Sequence, residues 1–240
     1  MQIYNGSVQI TYPMERSPVM EEYIKRVYQL EQEHSRRVRT TEIAGAVDRT
    51  QASVTHMIQK LNGGGFVDYE EYRGVTVTEA GEEIALEVVR KHRLLETFLM
   101  ERLGVAWPDI HEEADRLEHH ISDEFTDRLA DLLGNPRKDP HGEPIPNSDH
   151  TFSTEASEIG LIDCEVGDVR VVDQVPHHQA EIREYLFENN IDPGTTIEID
   201  EILPVGLVSF TIQETGCSVS IPDRVARQVK VRPPSVMESA

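Results

Sequence analysis

Over residues 15–78 the apolar positions recur at helical spacing and then switch to alternation. Tyr23, Val27 and Leu30, with Ile24 beside them, form one face of a helix opening at Ser17-Pro18, an N-cap serine followed by proline at the first helical position. Thr41-Glu42 opens a short helix through Val47, and Asp48-Arg49-Thr50 makes a turn. Gln51 to Leu61 reads as a second helix with Val54, Met57, Ile58 and Leu61 inward, stopped by Gly63-Gly64-Gly65. Phe66–Tyr69 and Val75–Val77 alternate as short strands around Tyr72-Arg73-Gly74. Short helix, turn, second helix and β-wing is the winged helix-turn-helix pattern; a three-helix domain without a DNA role would not need the wing. The second helix is then the one that enters the major groove. Thr50, Gln51, Ala52, Ser53, Thr55 and His56 are its candidates for base edges, and Arg49, Lys60 and Arg73 for phosphates. Residues 1–14 show no strong period and read as a tail or a weak strand.

Thr78 to Leu103 reads as one long helix, Asp109 to Ile121 as a second and Ser122 to Leu133 as a third, ended by Gly134-Asn135. Leu94, Leu95, Phe98 and Leu99 are more apolar surface than one helix buries alone. They suit a helical dimerisation unit or, equally, a core within the chain. Asn135 to Ser153 is rich in proline, charge and turn residues and reads as a linker or ordered loop. After it the period shortens. Val169–Val175, Thr195–Ile202, Leu207–Ile212, Ser218–Ile221 and Val229–Val231 read as strands, interrupted by one helix, His178–Asn189. The expected layout is a tail (1–14), a winged-helix domain (15–78), a helical domain (79–150) and an SH3-like β-barrel domain (151–240), mainly α with a small β part.

The helical domain carries the chemistry. His92 and Glu96 lie four apart on the long helix; His111, Asp115, Glu118 and His119 follow on the next. Residues three and four apart share a helix face, so Asp115, Glu118 and His119 converge, with His111 one turn earlier. Ile110, Ala114, Leu117 and Ile121 form a neighbouring apolar stripe. Imidazoles and carboxylates projecting beside a core face are how helix-borne transition-metal sites are built. An acidic, histidine-bearing solvated face has the same spacing.

Composition narrows this further. No apolar run is long enough to span a bilayer, and residues 1–20 lack the apolar segment of a signal peptide. Cys164 and Cys217 fit neither a metal-binding spacing nor a disulfide framework, so a cytoplasmic protein is expected. The formal net charge of -21 argues against nucleic acid until it is localised. Residues 14–74 hold nine Lys/Arg and ten Asp/Glu; the remainder holds 14 and 34. The acid therefore lies outside the winged-helix segment. An acidic chain with few lysines also fits a salt-loaded cytosol, so a halophilic source is expected.

The segments MEEYIKRVYQL, RKHRLLETFL, HEEADRLEHHIS and DPHGEPIP, with the winged helix, resemble the diphtheria-toxin-repressor family (DtxR/MntR) over nearly the whole chain from Met14. That resemblance implies a homodimeric, metal-dependent transcriptional repressor of metal-homeostasis genes, bound to a palindromic operator, with neither a membrane nor an organic substrate as partner. It implies two metal sites per subunit. The primary site falls on Glu22, Asp115, Glu118 and His119, and the ancillary site on His92, Glu96 and His111, with His178 and Glu181 added from the third domain. Carboxylates replace the sulfur donors of the iron branch at Glu22 and Asp115, which favours Mn2+ over Fe2+. Lys25 stands where the manganese branch has a Glu, which keeps Fe2+ open. Two rival classes are a winged-helix regulator sensing an organic ligand and a metallohydrolase. His111-Glu112 begins an HExxH-like string, but its fifth residue is Asp115 and no nucleophile accompanies it.

Overall fold

The computed structural model describes residues 16–152, 159–176 and 180–234. They fall into two compact units, divided between Val89 and Arg90.

In the first unit α1 (Pro18–His34), α2 (Thr40–Ala46) and α3 (Gln51–Gly63) precede a hairpin of β1 (Val67–Glu70) and β2 (Gly74–Val77). Three caps set the helix starts. Ser17 Oγ accepts from Met20 N, Thr50 Oγ1 accepts from Ser53 N, and Glu42 Oε2 accepts from Arg39 N, so backbone donors left open at each first turn are satisfied. Ile24, Val27, Ile43, Val54, Ile58 and Leu61 are fully buried and form the core with Val38 and Val75. Val38 and Val75 exchange two backbone hydrogen bonds of 2.8 Å, which fastens the wing to the segment before α2. Gly74 is required there: its φ is 104°, and a Cβ would stand 2.7 Å from the Val38 carbonyl oxygen. Helix α4 (Glu79–Leu103) starts in this unit and continues into the next.

The second unit holds the rest of α4, α5 (Ile110–Leu117), α6 (Asp123–Leu132) and the C-terminal sheet domain. That domain comprises β3 (Ile159–Gly160), β4 (Val169–Gln174), α7 (Ala180–Glu188), β5 (Thr196–Leu203), β6 (Leu207–Ile212), β7 (Ser218–Pro222), α8 (Asp223–Ala226) and β8 (Lys230–Arg232). The strands form one antiparallel six-stranded sheet in the order β3-β8-β4-β5-β6-β7. Along β6 the buried Val208, Phe210 and Ile212 alternate with half-buried partners, as a sheet with one covered face demands.

Two sequence expectations change, and of the two readings of the leucine stripe one is found. Helix α5 stops at Leu117 rather than Ile121, because the His120 N–H bonds back to the Leu117 carbonyl at 2.9 Å, a tightened last turn that frees Ser122 to cap α6. The two-residue β3 and four-residue α8 went unread, being shorter than any detectable period. Leu94, Leu95 and Leu99 are buried in their own chain's core with Ile110, Ala114 and Leu129, and the large apolar side chains left exposed nearby are Met100, Leu103, Phe125 and Leu132. The leucine stripe is thus an intrachain core and carries no argument for a dimer.

Candidate metal centre

Helix α4 supplies His92 and Glu96 one turn apart on its buried side, and α5 brings His111 against them. Three donor atoms meet in a triangle: His92 Nε2 to Glu96 Oε1 3.0 Å, His111 Nδ1 to Glu96 Oε1 2.9 Å, and His92 Nε2 to His111 Nδ1 3.0 Å. Cis ligands of an ion with bonds of about 2.1 Å are about 3.0 Å apart, so this triangle has the size of one face of a coordination octahedron. Asp115 joins it, Oδ1 3.3 Å from His92 Nδ1 and Oδ2 3.7 Å from His111 Nε2. Glu118 is fully buried, its Oε2 2.7 Å from His92 Nδ1 and its Oε1 3.1 Å from His119 Nε2. Of the three residues expected on one face of α5, Asp115 and Glu118 both reach His92 Nδ1, and Glu118 also reaches His119. Asp115 stands with His92 and His111, while His119 stands with Glu118.

A further donor set comes from the loop after α6, read from sequence only as a linker. Asp139 and His141 are buried beside Glu96, with His141 Nδ1 3.4 Å from Glu96 Oε2. The loop is rigidly placed. Asp139 Oδ1 accepts from the backbone N–H of His141 and Glu143 at 2.8 and 2.9 Å, and Val175 N donates to the His141 carbonyl. Gly142 has a φ of 85° and lies against the Asp173 carbonyl, leaving no room for a Cβ. Trp107 donates to the Pro140 carbonyl, lies 4.7 Å from the His141 ring and stacks on Phe187 of α7 at 5.8 Å. Glu96 Oε2 and Asp139 Oδ2 are buried without a hydrogen-bond partner. Buried carboxylate oxygens in this setting suit a cation as partner, so the residues present fit a metal ion. The signal overlooked in the sequence is two ligand-type residues two apart, followed by glycine, in a loop without periodicity.

The electrostatics follow from burial and close opposite charges. Burial alone would lower the His92 pKa, but Glu96, Asp115 and Glu118 outweigh it and hold the imidazole well above its ordinary value. Burial works to raise Glu96, and the imidazoles of His92, His111 and His141 pull it well below the carboxylate range. Burial, then the Glu96 charge, pushes Asp139 up to about 7.

Of the other expected ligands, Glu22 lies half-buried on α1, ion-paired with Lys25 at 3.2 Å and Arg26 at 2.7 Å. Glu181 is exposed in the first turn of α7, apart from the donor clusters of the described residues; His178 lies outside the described residues. On the first unit, Arg49, Thr50, Gln51, Ala52, Ser53, His56 and Lys60 are exposed and Thr55 is half-buried. The wing tip presents Tyr72, 98% exposed, and Arg73, whose guanidinium pairs with Glu70 at 2.6 Å.

A winged helix joined to a helical domain with a buried nitrogen-and-oxygen donor cluster defines a class, the metal-responsive winged-helix regulators. Residues 15–75 match the Iron dependent repressor N-terminal DNA binding domain, residues 78–147 the Iron dependent repressor metal binding and dimerisation domain, and residues 159–233 the FeoA domain. The chain is 30% identical over 220 residues to the diphtheria toxin repressor of Corynebacterium glutamicum, covering 88% of this chain and 94% of that one. It is 39% identical over 117 residues to the HTH-type transcriptional regulator MntR of Shouchella clausii, covering 49% and 80%. Among solved structures, a manganese-dependent transcriptional repressor in complex with manganese superposes with a TM-score of 0.82 at 30% identity, covering 90% of this chain and 100% of that one. This chain belongs to the diphtheria toxin repressor family of metal-dependent transcriptional repressors. No helix among the described residues is long and apolar enough to cross a membrane.

Proposed function

We propose that this protein is a divalent-metal-dependent transcriptional repressor of metal-homeostasis genes, acting as a homodimer on a palindromic operator. The observation that carries the reading is the buried triangle of His92, Glu96 and His111, built from two helices of the domain that follows the winged helix. Glu22, Asp115, Glu118 and His119 are the ligands of the primary ion, and His92, Glu96 and His111 those of the ancillary one, with Asp139 and His141 added from the loop. When bound, the metal supplies positive charge that cancels the mutual repulsion of these carboxylates. Glu22 is on the DNA-binding side of the chain and the other primary donors are on the helical side, so a common ligand restrains the recognition helix relative to the dimer. Recognition helices of a dimer dock together only when half-sites lie about one helical turn, or a multiple, apart. Metal and operator binding are then reciprocally coupled, by ~1–3 kcal/mol. Oxygen and imidazole donors without sulfur favour Mn2+, with Fe2+ as the other candidate.

The test is operator binding by the purified protein with EDTA, Mn2+, Fe2+ or Zn2+. Binding that appears only with metal, and is lost in Glu118→Gln while the dimer persists, is the expected result. Equal operator binding in EDTA would instead favour a winged-helix regulator of a different signal.

A further inference from the structure

The wing is fastened along both of its strands. Asn62 Oδ1, in the last turn of α3, accepts from Tyr69 N of β1 at 2.9 Å. Glu31, in the last turn of α1, accepts from Val77 N of β2 at 3.0 Å and from the Thr76 hydroxyl. The Arg37 guanidinium bonds the Asp68 carboxylate at 3.0 Å and the Asp68 carbonyl at 2.8 Å. With the Val38–Val75 pair, these bonds fix the hairpin relative to the recognition helix. Its tip is Glu71-Tyr72-Arg73, closed by the Arg73 N–H on the Glu70 carbonyl. Tyr72 is almost wholly exposed, and its backbone is left-handed, with a φ of 65°. Glycine or asparagine takes that conformation with little strain, and a bulky aromatic does not. An aromatic ring held out in water at a strained position adds nothing to the fold. Strain of this kind goes with a contact made to a partner.

We propose that Tyr72 is a DNA contact, its ring packed on the deoxyribose wall of the minor groove beside the major groove that α3 enters. The proposal rests on the repressor reading above and adds to it a contact that is aromatic rather than ionic. The partner is the duplex because Tyr72 and α3 lie in one matched DNA binding domain, residues 15–75. Charge decides which part of the duplex the tip meets. From Val67 to Val77 the wing carries Asp68, Glu70 and Glu71 against Arg73 alone, and Arg73 pairs with Glu70 at 2.6 Å. A tip of net negative charge does not suit phosphate. It suits the least charged surface of the duplex, the sugar wall, which a flat ring covers by apolar contact. Such a contact releases no counterions, so it does not weaken with salt.

The experiment uses the full chain loaded with Mn2+ and a duplex that the unaltered chain selects from a random-sequence pool. Affinity is measured across a series of KCl concentrations. Sugars are mapped with hydroxyl radicals from X-ray radiolysis, which needs no chelator, and thermal unfolding is followed by circular dichroism. Tyr72→Asn should lose about tenfold in affinity with the salt slope unchanged. It should lose protection of the sugars flanking each half-site and keep protection within it. It should unfold at the same temperature as the unaltered chain or higher, because asparagine relieves the left-handed backbone. Tyr72→Phe should keep both affinity and flanking protection. Tyr72→Asn that matches the unaltered chain in affinity and protection overturns the contact. So does Tyr72→Asn that unfolds at lower temperature and loses protection throughout the half-site, which is the behaviour of a residue needed for the fold. Tyr72→Phe that loses as much as Tyr72→Asn overturns the apolar contact in favour of the hydroxyl. An unaltered chain that selects no duplex with Mn2+, Fe2+ or Zn2+ overturns the repressor reading as well.

Discussion

At the level of single residues, two charges decide how tightly the proposed ligands hold an ion. Lys25 is 1% exposed and its Nζ lies 3.2 Å from Glu22 Oε2. A buried ammonium at that distance competes with any cation for Glu22, and low dielectric strengthens the competition. Lys25→Gln should therefore tighten the Glu22-dependent ion by about tenfold, or ~1.4 kcal/mol. Isothermal titration with Mn2+ reads this, and an unchanged affinity would show that Lys25 is only a packing element of α1. The second charge effect is protonic. Asp139 is pushed to about 7 and His92 is held above its ordinary value, so in mildly acidic solution both carry protons that a metal must displace. A ligand carboxylate must be ionised and a ligand imidazole neutral. The sign follows: affinity rises with pH through about 7 as Asp139 ionises, and goes on rising until His92, held well above its ordinary value, is neutral. Titrations in buffers of differing ionisation enthalpy count the released protons, and a pH-independent affinity across that window would contradict the assignment. His92, Glu96, His111, Asp115, Glu118 and His119 were legible as a donor group because helical spacing displays them. Asp139 and His141 were not, since a loop has no period to mark which side chains turn inward.

At the level of elements, boundaries set by a capping side chain could be read and those set by the backbone alone could not. Ser17, Thr50 and Ser122 are visible cap residues, and α1, α3 and α6 begin directly after them. The end of α5 carries no such residue; its tightened turn is closed by the His120 N–H on the Leu117 carbonyl, which no side chain signals. Ser122→Ala removes the acceptor for Phe125 N and should cost ~1 kcal/mol in chemical denaturation. No change in midpoint would mean that water caps α6 equally well. The loop after α6 is more sensitive. Gly142→Ala adds a Cβ at a positive φ against the Asp173 carbonyl, at the point where a bulge in the β4–β8 pairing sets Asp173 toward Lys138 and Arg232. The expected loss is ~2–3 kcal/mol, together with one bound ion per chain. Full retention of both would show that the loop can move away from β4 without disturbing Asp139 and His141.

At the level of the whole molecule, charge is divided unevenly, and that division was plain in the sequence. Residues 14–74 are nearly neutral while the rest of the chain carries an excess of 20 acidic groups over basic ones. The structure adds where the basic groups of the first unit are spent. Arg26 pairs with Glu22, Arg36 with Glu42, Arg37 with Asp68 and Glu70, and Arg73 with Glu70, while Arg49 bonds the carbonyl of Asp48. Lys60 is exposed near the end of α3. Few cations are thus disposed toward phosphates, and an acidic body repels the duplex. Each neutralised phosphate releases condensed counterions, so log affinity falls against log salt by about 0.9 per contact. Few contacts give a shallow slope. Specific binding should then lean on base-edge groups from Thr50, Gln51, Ser53 and His56 more than on Lys60 and Arg73, and operator binding should persist in concentrated salt. Operator affinity measured from ~0.2 to ~2 M KCl with saturating metal tests this. A slope matching the six to ten contacts of an ordinary repressor, about -5 to -9, would return the leading role to Arg49, Lys60 and Arg73, with their surface ion pairs giving way to phosphate at little cost.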